Sequence, residues 1–202
     1  MFYETAENRH GLAHDPFKAI VSPRPIGWIG TLSKDGVRNL APYSFFNAIS
    51  DRPKLVMFSS SGWKDSVENV KQTGVFTASF VGRAIIDAMN ASSAPVGPDV
   101  DEFVLAGLTP EPGRLVNAPF VAEALAALEC RATDILQPKG IDGAPSENFM
   151  VIAEVVGIHI RDEAIRDGRF DMGFARPVGR LGYMDYADAG DVFELMRPGA
   201  AR

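Results

Sequence analysis

The chain has 202 residues, and its 20 Lys and Arg residues against 26 Asp and Glu residues give a formal net charge of −6. This acidic balance argues against a nucleic-acid-binding platform, which would need clustered Lys and Arg. The single cysteine, Cys130, excludes an intramolecular disulfide framework and a cysteine-rich zinc site. The length suits one domain over residues 1–202.

The sequence shows no signal of export or membrane insertion. It has no run approaching the roughly 18 uninterrupted apolar residues of a membrane span. The start, Met1-Phe2-Tyr3-Glu4, lacks a basic segment followed by an apolar one. We therefore expect a cytoplasmic protein that does not associate with a membrane.

Strands dominate the first part of the chain after a weakly patterned start. The apolar, β-prone run 26–32 is followed by Asp35-Gly36 and then by 37–46. The Asp-Gly pair is a strong hairpin signal, because a type I′ turn needs positive φ and these residues tolerate it. Another short buried strand is predicted over 54–59.

The next segment has the signals of a helix. Asp65 can serve as the N-cap, and Glu68, three residues later, completes a capping-box spacing. Gly74 is expected to end this helix. The run 75–81 then returns to strand, and 83–91 has apolar residues at helical spacing.

The second half of the chain is less regular. Five prolines lie within 92–120, so this region is expected to be mostly loop. Residues 122–127 are helix-prone by composition, whereas 125–133 suits a strand equally well, and both alternatives stay open. Residues 149–160 predict a long β-branched strand, in which Gly157 indicates a bulge or bend.

With a further short strand over 180–183, these segments make about six or seven strands and two or three short helices. Hairpin connections make the sheet largely antiparallel, and closing it into a barrel would remove its exposed edges. The predicted fold is therefore mainly β with a few short helices. The lack of βαβ alternation argues against a doubly wound fold.

Common catalytic and nucleotide-binding motifs are absent from the sequence. It contains no G-x-G-x-x-G, no Walker A pattern, no G-x-S-x-G and no H-E-x-x-H. His10 and His14 have i,i+4 spacing but no third ligand nearby in sequence, and His159 is far from both. We predict no metal site.

The stretch 59–66 reads Ser-Ser-Ser-Gly-Trp-Lys-Asp-Ser and leads from a strand end into a helix start. Free backbone N–H groups and the helix dipole favour an anion at such a place, and the serines and lysine add donors. The stretch therefore suits a phosphate cradle without the Walker pattern. It is equally consistent with a polar turn capped by Asp65, whose own charge would repel a phosphate.

A second segment, 22–31, has Arg24 between two prolines. The prolines stiffen the backbone around a guanidinium that suits bidentate phosphate or carboxylate contacts. The glycines at 27 and 30 would let a flat ring approach the strand closely. The alternative is the start of an edge strand with a surface arginine.

A third segment, 39–47, places Asn39, Ser44 and Asn47 among aromatic residues. Such polar groups beside aromatic rings suit a heteroaromatic ligand. An aromatic stripe on a strand is otherwise typical of a core. The functional interpretation gains weight because the three segments fall within 45 residues on consecutive strands.

Together, these segments resemble the flavin reductase-like family, which has an FMN-binding split barrel. The resemblance rests on 22–28, 39–47 and 64–66, and it covers a core of about 14–185. It implies an antiparallel split β-barrel and a homodimer with FMN near the subunit interface. It also implies reduction of flavin by NADH or NADPH.

Carried over position by position, the resemblance places Arg24 and the turn Lys64-Asp65-Ser66 at the phosphate end, with Ser59, Ser60 and Ser61 beside them. It implies that two strand segments line the ribityl chain and the isoalloxazine ring. These are Trp28, Ile29, Gly30 and Thr31, and then Ala41, Pro42, Tyr43, Ser44, Phe45, Phe46 and Asn47. Arg180 and Tyr183 would reach a flavin across the dimer.

Hydride transfer from nicotinamide to flavin N5 uses chemistry that the two cofactors already carry. We therefore expect no catalytic acid or base, and we expect the protein to stack the rings and exclude water. Backbone amides with Ser44 or Asn47 would stabilise the reduced ring, and His159 would be structural.

Two other functions fit the same sequence. One is a flavoredoxin-like electron carrier, which holds FMN tightly and exchanges electrons with a protein partner. The other is a β-barrel binding module without flavin.

Overall fold

The computed structural model describes residues 1–199. Its strands are β1 (Arg24–Pro25), β2 (Gly27–Leu32), β3 (Arg38–Tyr43), β4 (Phe46–Asp51), β5 (Lys54–Ser61), β6 (Val75–Ser79), β7 (Pro110–Pro112), β8 (Pro119–Val121), β9 (Ala126–Leu136), β10 (Asn148–Ile160), β11 (Ile165–Arg166), β12 (Arg169–Phe170), β13 (Val178–Arg180) and β14 (Tyr186–Asp188). Its helices are α1 (Phe17–Ile20), α2 (Asp65–Thr73), α3 (Ile86–Ala91), α4 (Glu102–Leu105) and α5 (Met172–Ala175), with 3₁₀ turns at Arg83–Ile85 and Asp162–Ala164.

Seven strands form one curled antiparallel sheet, in the order β3-β2-β6-β9-β10-β5-β4. The mainly β, antiparallel prediction is confirmed. The long strands β9 and β10 pair along most of their length, and the register shifts between Val155 and Gly157. The bulge predicted at Gly157 is therefore present.

The hairpin between β2 and β3 differs from the predicted type I′ turn. Gly36 has a φ of +86°, but Asp35 does not have positive φ. The Gly36 N–H donates to the Ser33 carbonyl, and the Ser33 N–H donates to the Val37 carbonyl. One left-handed residue is thus enough here, because the loop is longer than the two-residue turn that the Asp-Gly pair indicates.

The run predicted as one strand over 37–46 is two strands, because the chain turns at Ser44 and Phe45. The Phe45 carbonyl accepts a hydrogen bond from the Ser59 N–H at 2.8 Å. This break carries the chain from β3 at one edge of the sheet to β4 at the other edge.

The N-cap position of helix α2 lies one residue earlier in the chain than predicted. Lys64 is the N-cap residue and Asp65 the first helical residue, so the N-cap assignment of Asp65 is wrong. The Glu68 carboxylate accepts from Trp63 Nε1 at 2.6 Å and from the side chain of Gln72, so the predicted capping box is also wrong. Gly74 ends the helix in the left-handed region, as predicted.

Three further segments are resolved by the structure. Residues 122–125 form a turn and β9 begins at Ala126, so the strand alternative for 125–133 is confirmed and the helix alternative for 122–127 is wrong. Residues 92–120 are mostly loop with α4, β7 and the start of β8. The last short strand is displaced, since β13 ends at Arg180 where the strand 180–183 was predicted to begin.

The hydrophobic core forms two clusters that meet at β2. Ile29, Phe58 and Phe76 are fully buried in the cluster that also packs against α2. Trp28 and Met89 belong to the other cluster. Successive residues of a strand face opposite sides, so β2 contributes to both clusters in turn.

A buried carboxylate joins the loop before β8 to the sheet. Glu129 on β9 accepts the backbone N–H groups of Arg114 (2.9 Å), Leu115 (2.6 Å) and Val116 (2.8 Å), and His159 Nε2 lies 2.6 Å from its Oε1. Burial raises the pKa of Glu129, but these hydrogen bonds outweigh it and the net pKa is lowered. His159 therefore takes part in the hydrogen bonds that hold this loop to the sheet, through Glu129.

No helix within residues 1–199 is long and apolar enough to cross a membrane.

We expect Glu129→Gln to lower the free energy of unfolding by about 2 kcal/mol at neutral pH, because charged hydrogen bonds to three backbone amides are weakened. A lowered native pKa stabilises the fold above the ordinary value of 4.5 and ceases to do so as the pH falls through the native pKa. Urea unfolding from pH 7 to pH 3 should therefore show the difference shrinking in acid. Glu154→Gln, at an exposed position of β10, is the control, and an equal loss in both variants would contradict the assignment.

Candidate functional site

A cleft of about 520 Å³ opens where β3 ends, β5 ends and α2 begins. Ten of the predicted site residues line it: Ala41, Pro42, Tyr43, Ser44, Phe45, Ser59, Ser61, Lys64, Asp65 and Ser66. They come from two of the three predicted segments, which the fold brings to one place. Their contact with a cofactor stays a prediction.

One end of the cleft is rich in hydrogen-bond donors. Ser59 and Ser61 lie on the same side of β5, and Lys64 stands at the N-cap position of α2 without a side-chain capping hydrogen bond. The first N–H groups of a helix have no intrahelical acceptor, and its dipole favours negative charge there. This end therefore suits an anionic group such as a phosphate.

Ser60 lies between these residues in sequence but faces the other way. It is fully buried, and its hydroxyl donates to the Gly62 carbonyl at 2.9 Å. The Ser59 hydroxyl accepts from Asn148 Nδ2 at 3.0 Å, which ties the cleft wall to β10. The alternation of side chains along a strand accounts for the difference between these neighbours.

The cleft also contains residues that sequence reasoning left out of the site. Lys18, Glu102 and the segment 92–96 line it. Asn39, which the sequence indicated as a polar group suited to a heteroaromatic ligand, lines it as well. Lys18 and Glu102 lie in weakly patterned regions, and tertiary packing alone brings them to the cleft.

Buried polar side chains form a network behind the cleft wall. Asn39 Nδ2 donates to Glu102 Oε1 at 3.0 Å, and the Ser66 hydroxyl donates to Asn39 Oδ1 at 2.9 Å. The Thr31 hydroxyl lies 3.3 Å from Asn39 Oδ1 and accepts from Asn69 Nδ2 at 3.0 Å. The network connects β2, β3, α2 and α4.

Burial changes two pKa values beside the cleft. It raises the pKa of the Tyr43 hydroxyl, and the charges of Asp65 and Glu102 act in the same direction against hydrogen bonds from Ser66 and Ser60. It also raises the pKa of Glu102, against hydrogen bonds from Leu40 and Asn39. Tyr43 is therefore a neutral hydroxyl at physiological pH.

None of the four predicted residues of β2 lines the cleft. Trp28, Ile29 and Thr31 are fully buried, so their side chains are not available to a ligand. Trp28 Nε1 donates to the Ser92 hydroxyl at 2.8 Å, which anchors the cleft wall at 92–96 from behind. At Gly30 an added Cβ would lie 2.1 Å from the Pro119 carbonyl oxygen, so the close approach is made by the protein's own backbone.

Arg24 is placed differently from its predicted position at a phosphate. It is 7% exposed, and its guanidinium donates to the carbonyls of Lys18, Val21 (2.7 Å) and Leu181 (2.8 Å). Burial and the nearby charge of Arg180 lower its pKa. The three backbone carbonyls thus accept from Nη1 and Nη2, whereas the buried Nε has no hydrogen-bond partner within residues 1–199.

The remaining predicted residues lie outside the cleft. Phe46 lines a second, apolar cavity of about 470 Å³. Asn47 is on the exposed edge strand β4, where its Oδ1 accepts the Ala48 N–H at 2.9 Å. Arg180 lies 4.4 Å from the ring centre of Tyr186 and donates to the Tyr183 carbonyl.

We expect Arg24→Met to lower the free energy of unfolding by about 2–3 kcal/mol, because three carbonyls lose a buried charged donor. Hydrogen exchange should become faster in residues 17–21 and 181–185, measured by mass spectrometry. Arg52→Met, at a side chain that is 94% exposed, should leave both quantities unchanged. A stable Arg24→Met protein with slow exchange in these segments would contradict the structural role.

The curled antiparallel half-barrel, with a donor-rich cleft where β3 and β5 end, defines a β-barrel protein with a candidate small-molecule site. Residues 21–184 match the family described as flavin reductase like domain, and the chain belongs to this family. The resemblance read from the sequence is confirmed.

Similar proteins span nearly the whole chain. An uncharacterised protein of Halalkalibacterium halodurans is 36% identical over 183 residues, which is 88% of this chain and 87% of that protein. Nitrilotriacetate monooxygenase component B from Bacillus cereus is 28% identical with a TM-score of 0.87, covering 96% of this chain and 98% of that chain. A split-barrel-domain protein from Shewanella frigidimarina has a TM-score of 0.81 at 24% identity, covering 98% and 99%, and it confirms the split-barrel fold.

Proposed function

We propose that this protein is an FMN-binding oxidoreductase that reduces flavin with NADH or NADPH. One observation carries the proposal: two matching regions adjoin within the same cleft. Its donor-rich end is formed by β5 and α2, and its aromatic end by residues 41–45. FMN has the matching composition, with a phosphate at one end and a flat heteroaromatic ring at the other. The cleft's volume of about 520 Å³ lies within the range of small-molecule sites.

The donor set fits the phosphate. Lys64 and Lys18 supply two cations, and Ser59 and Ser61 supply hydroxyls. Asp65 adds a negative charge at the start of α2, and the two lysines with the helix dipole offset it. The chain has a net charge of −6, so its overall field would repel an anion. Local groups must therefore hold the phosphate.

The ring end suits an apolar plane with polar edges. Ala41, Pro42 and Phe45 present apolar surface, and Ser44 adds a hydroxyl where the chain leaves β3. Backbone N–H groups and the Ser44 hydroxyl would donate to the edge of the bound ring. Asn47 lies beyond this turn on β4, outside the cleft of its own subunit. In the proposed homodimer it would contact the flavin bound by the partner subunit.

The bound flavin would supply the chemistry, by accepting hydride from nicotinamide. The side chains would bind and orient the two rings and exclude water. Tyr43 and Glu102 both have raised pKa values from burial, and neither is needed as a proton donor or acceptor. The similarity to a monooxygenase component supports a partner oxygenase as the consumer of reduced flavin.

We expect the purified protein to bind FMN and Lys64→Ala to weaken that binding about tenfold or more, because a charge-assisted hydrogen bond to phosphate is lost. Riboflavin, which has no phosphate, should bind both proteins equally. Lys71→Ala, in the last turn of the same helix, is the matched control. Fluorescence titration measures the affinities of wild type, Lys64→Ala and Lys71→Ala for both flavins. Unchanged FMN affinity in Lys64→Ala would contradict the phosphate assignment.

Steady-state kinetics then test the reaction. A reductase should oxidise NADH or NADPH in proportion to added FMN over many turnovers. A flavoredoxin-like carrier would hold its flavin and react slowly with both nucleotides. A colourless protein that binds no flavin would leave only the non-flavin binding module.

A further inference from the structure

The second cavity plays no part in the proposed function. It measures about 470 Å³ and lies between β6, β9 and a small antiparallel sheet formed by β1, β13 and β14. Its wall is almost wholly apolar, and Ile26, Phe46 and Leu128 contribute to it. An apolar surface of this kind on a folded protein marks a place where another apolar group binds.

The chain leaves the small sheet at the rim of this cavity. Ala187, Asp188 and Ala189 line the cavity, and the Ala189 N–H donates to the Pro177 carbonyl at 3.0 Å. The chain then continues as residues 190–199, which we call the C-terminal arm and which contain no helix or strand. The arm and the cavity are therefore neighbours.

The C-terminal arm carries large apolar side chains that its own subunit leaves in water. Phe193 is 83% exposed and Leu195 is 86% exposed, and Val192 and Met196 are each more than half exposed. In an extended segment, Phe193 and Leu195 project from the same side because they are two residues apart. Four such residues in one short segment indicate a contact surface, in contrast to single apolar residues scattered over a surface.

The arm does not enter the cavity of its own subunit. None of the residues 190–199 lines that cavity. The ion pair of the arm joins Glu194 to Arg169 on β12 at 3.3 Å, and β12 does not line the cavity either. One subunit thus has an empty apolar cavity and an uncovered apolar arm that starts beside it.

We propose that the C-terminal arm of a second copy of this chain occupies the cavity, with Phe193 and Leu195 as its anchors, and that two subunits exchange their arms across a two-fold axis. Because each arm starts at the rim of a cavity, subunits that meet at these rims place each arm beside the partner's cavity. The ten residues of the arm can span about 30 Å when extended, which is enough to cross between two adjoining rims. Such an exchange closes on itself, so it gives a dimer without further growth.

The area of this contact suits a stable dimer. Burial of four large apolar side chains removes roughly 400 Å² of apolar surface from each arm. The walls that receive the arms lose a similar area, and the exchange occurs twice, so the total is about 1,600 Å², the size of a standard specific interface.

The charges of the two surfaces are complementary. Arg24 lines the cavity, and Arg180 is its partner in the pairing of β1 with β13. Among residues 1–199, neither guanidinium has a carboxylate oxygen within 4.0 Å. The arm carries Asp191 and Glu194 beside its apolar anchors. An acidic arm on a wall with uncompensated positive charge favours this pairing over others.

Sedimentation equilibrium of the ligand-free protein tests the exchange. We expect a wild-type dimer, and we expect Phe193→Ser to raise its dissociation constant about a hundredfold or more, because the two-fold axis removes the contact twice. Phe2→Ser is the matched control, since Phe2 is 88% exposed at the other end of the chain, and it should leave the constant unchanged. A monomeric wild type, or a dimer that Phe193→Ser does not weaken, would overturn the proposal.

Cross-linking shows where the arm binds. Phe193→Cys protein is mixed with Ala187→Cys protein and treated with a short bismaleimide. The native Cys130 does not compete, because it is fully buried and burial raises the pKa of its thiol to about 12. Mass spectrometry should find position 193 joined to position 187, a link that can form only between two chains.

Ile141→Cys, at an exposed loop position, replaces Phe193→Cys in the control mixture and should give no link to position 187. A dimer without the 193–187 link would overturn the exchange, and an arm that binds to its own subunit gives that result. Both experiments use the protein without flavin. Their outcome is therefore independent of whether the cleft binds FMN.

Discussion

Strand β2 is buried on both faces, and the two hydrophobic clusters are assembled on it. Trp28 belongs to one cluster and Ile29 to the other. Gly30 admits the Pro119 carbonyl at a distance that no side chain would allow. Because the strand pairs with β3 on one side and β6 on the other, any displacement of it would disturb both clusters and the sheet together. β2 therefore fixes the position of the edge strand β3, and with it one wall of the cleft.

The cleft forms where strands of the sheet end and helix α2 begins. β3 and β5 end close together, and α2 starts directly after the turn that follows β5. The Asn39–Glu102 pair and the Trp28–Ser92 hydrogen bond hold the opposite walls from behind. Such a site holds its donors and acceptors in place before a ligand arrives, which lowers the ordering cost of binding. The proposed reaction, whose chemistry the cofactors would carry, needs this preorganisation more than it needs an acid or a base.

The sequence correctly indicated the chemical property or secondary structure of several residues, but not the groups that they contact. Arg24 between two prolines suited a phosphate, yet its donors meet the carbonyls of Lys18, Val21 and Leu181. The Leu181 carbonyl is 157 positions away in sequence, so no local pattern could reveal it. In the same way, the β-prone run around Trp28 correctly predicted a strand. Burial on both faces, which removes its side chains from the cleft, depends on the helices and loops that pack over it.

What the sequence determined by itself is local and chemical. Gly74 ends α2, and Gly157 lies at a bulge in β10. The serines and lysine of 59–64 form a donor-rich segment. These properties depend on backbone sterics and on groups adjacent in the chain. The three motif segments also sufficed to indicate the family. Only the tertiary structure decided which of these groups face one another. Glu102 and Lys18 reach the cleft from weakly patterned segments, and the Arg24 guanidinium donates to the distant Leu181 carbonyl, because long-range packing decides which polar groups meet.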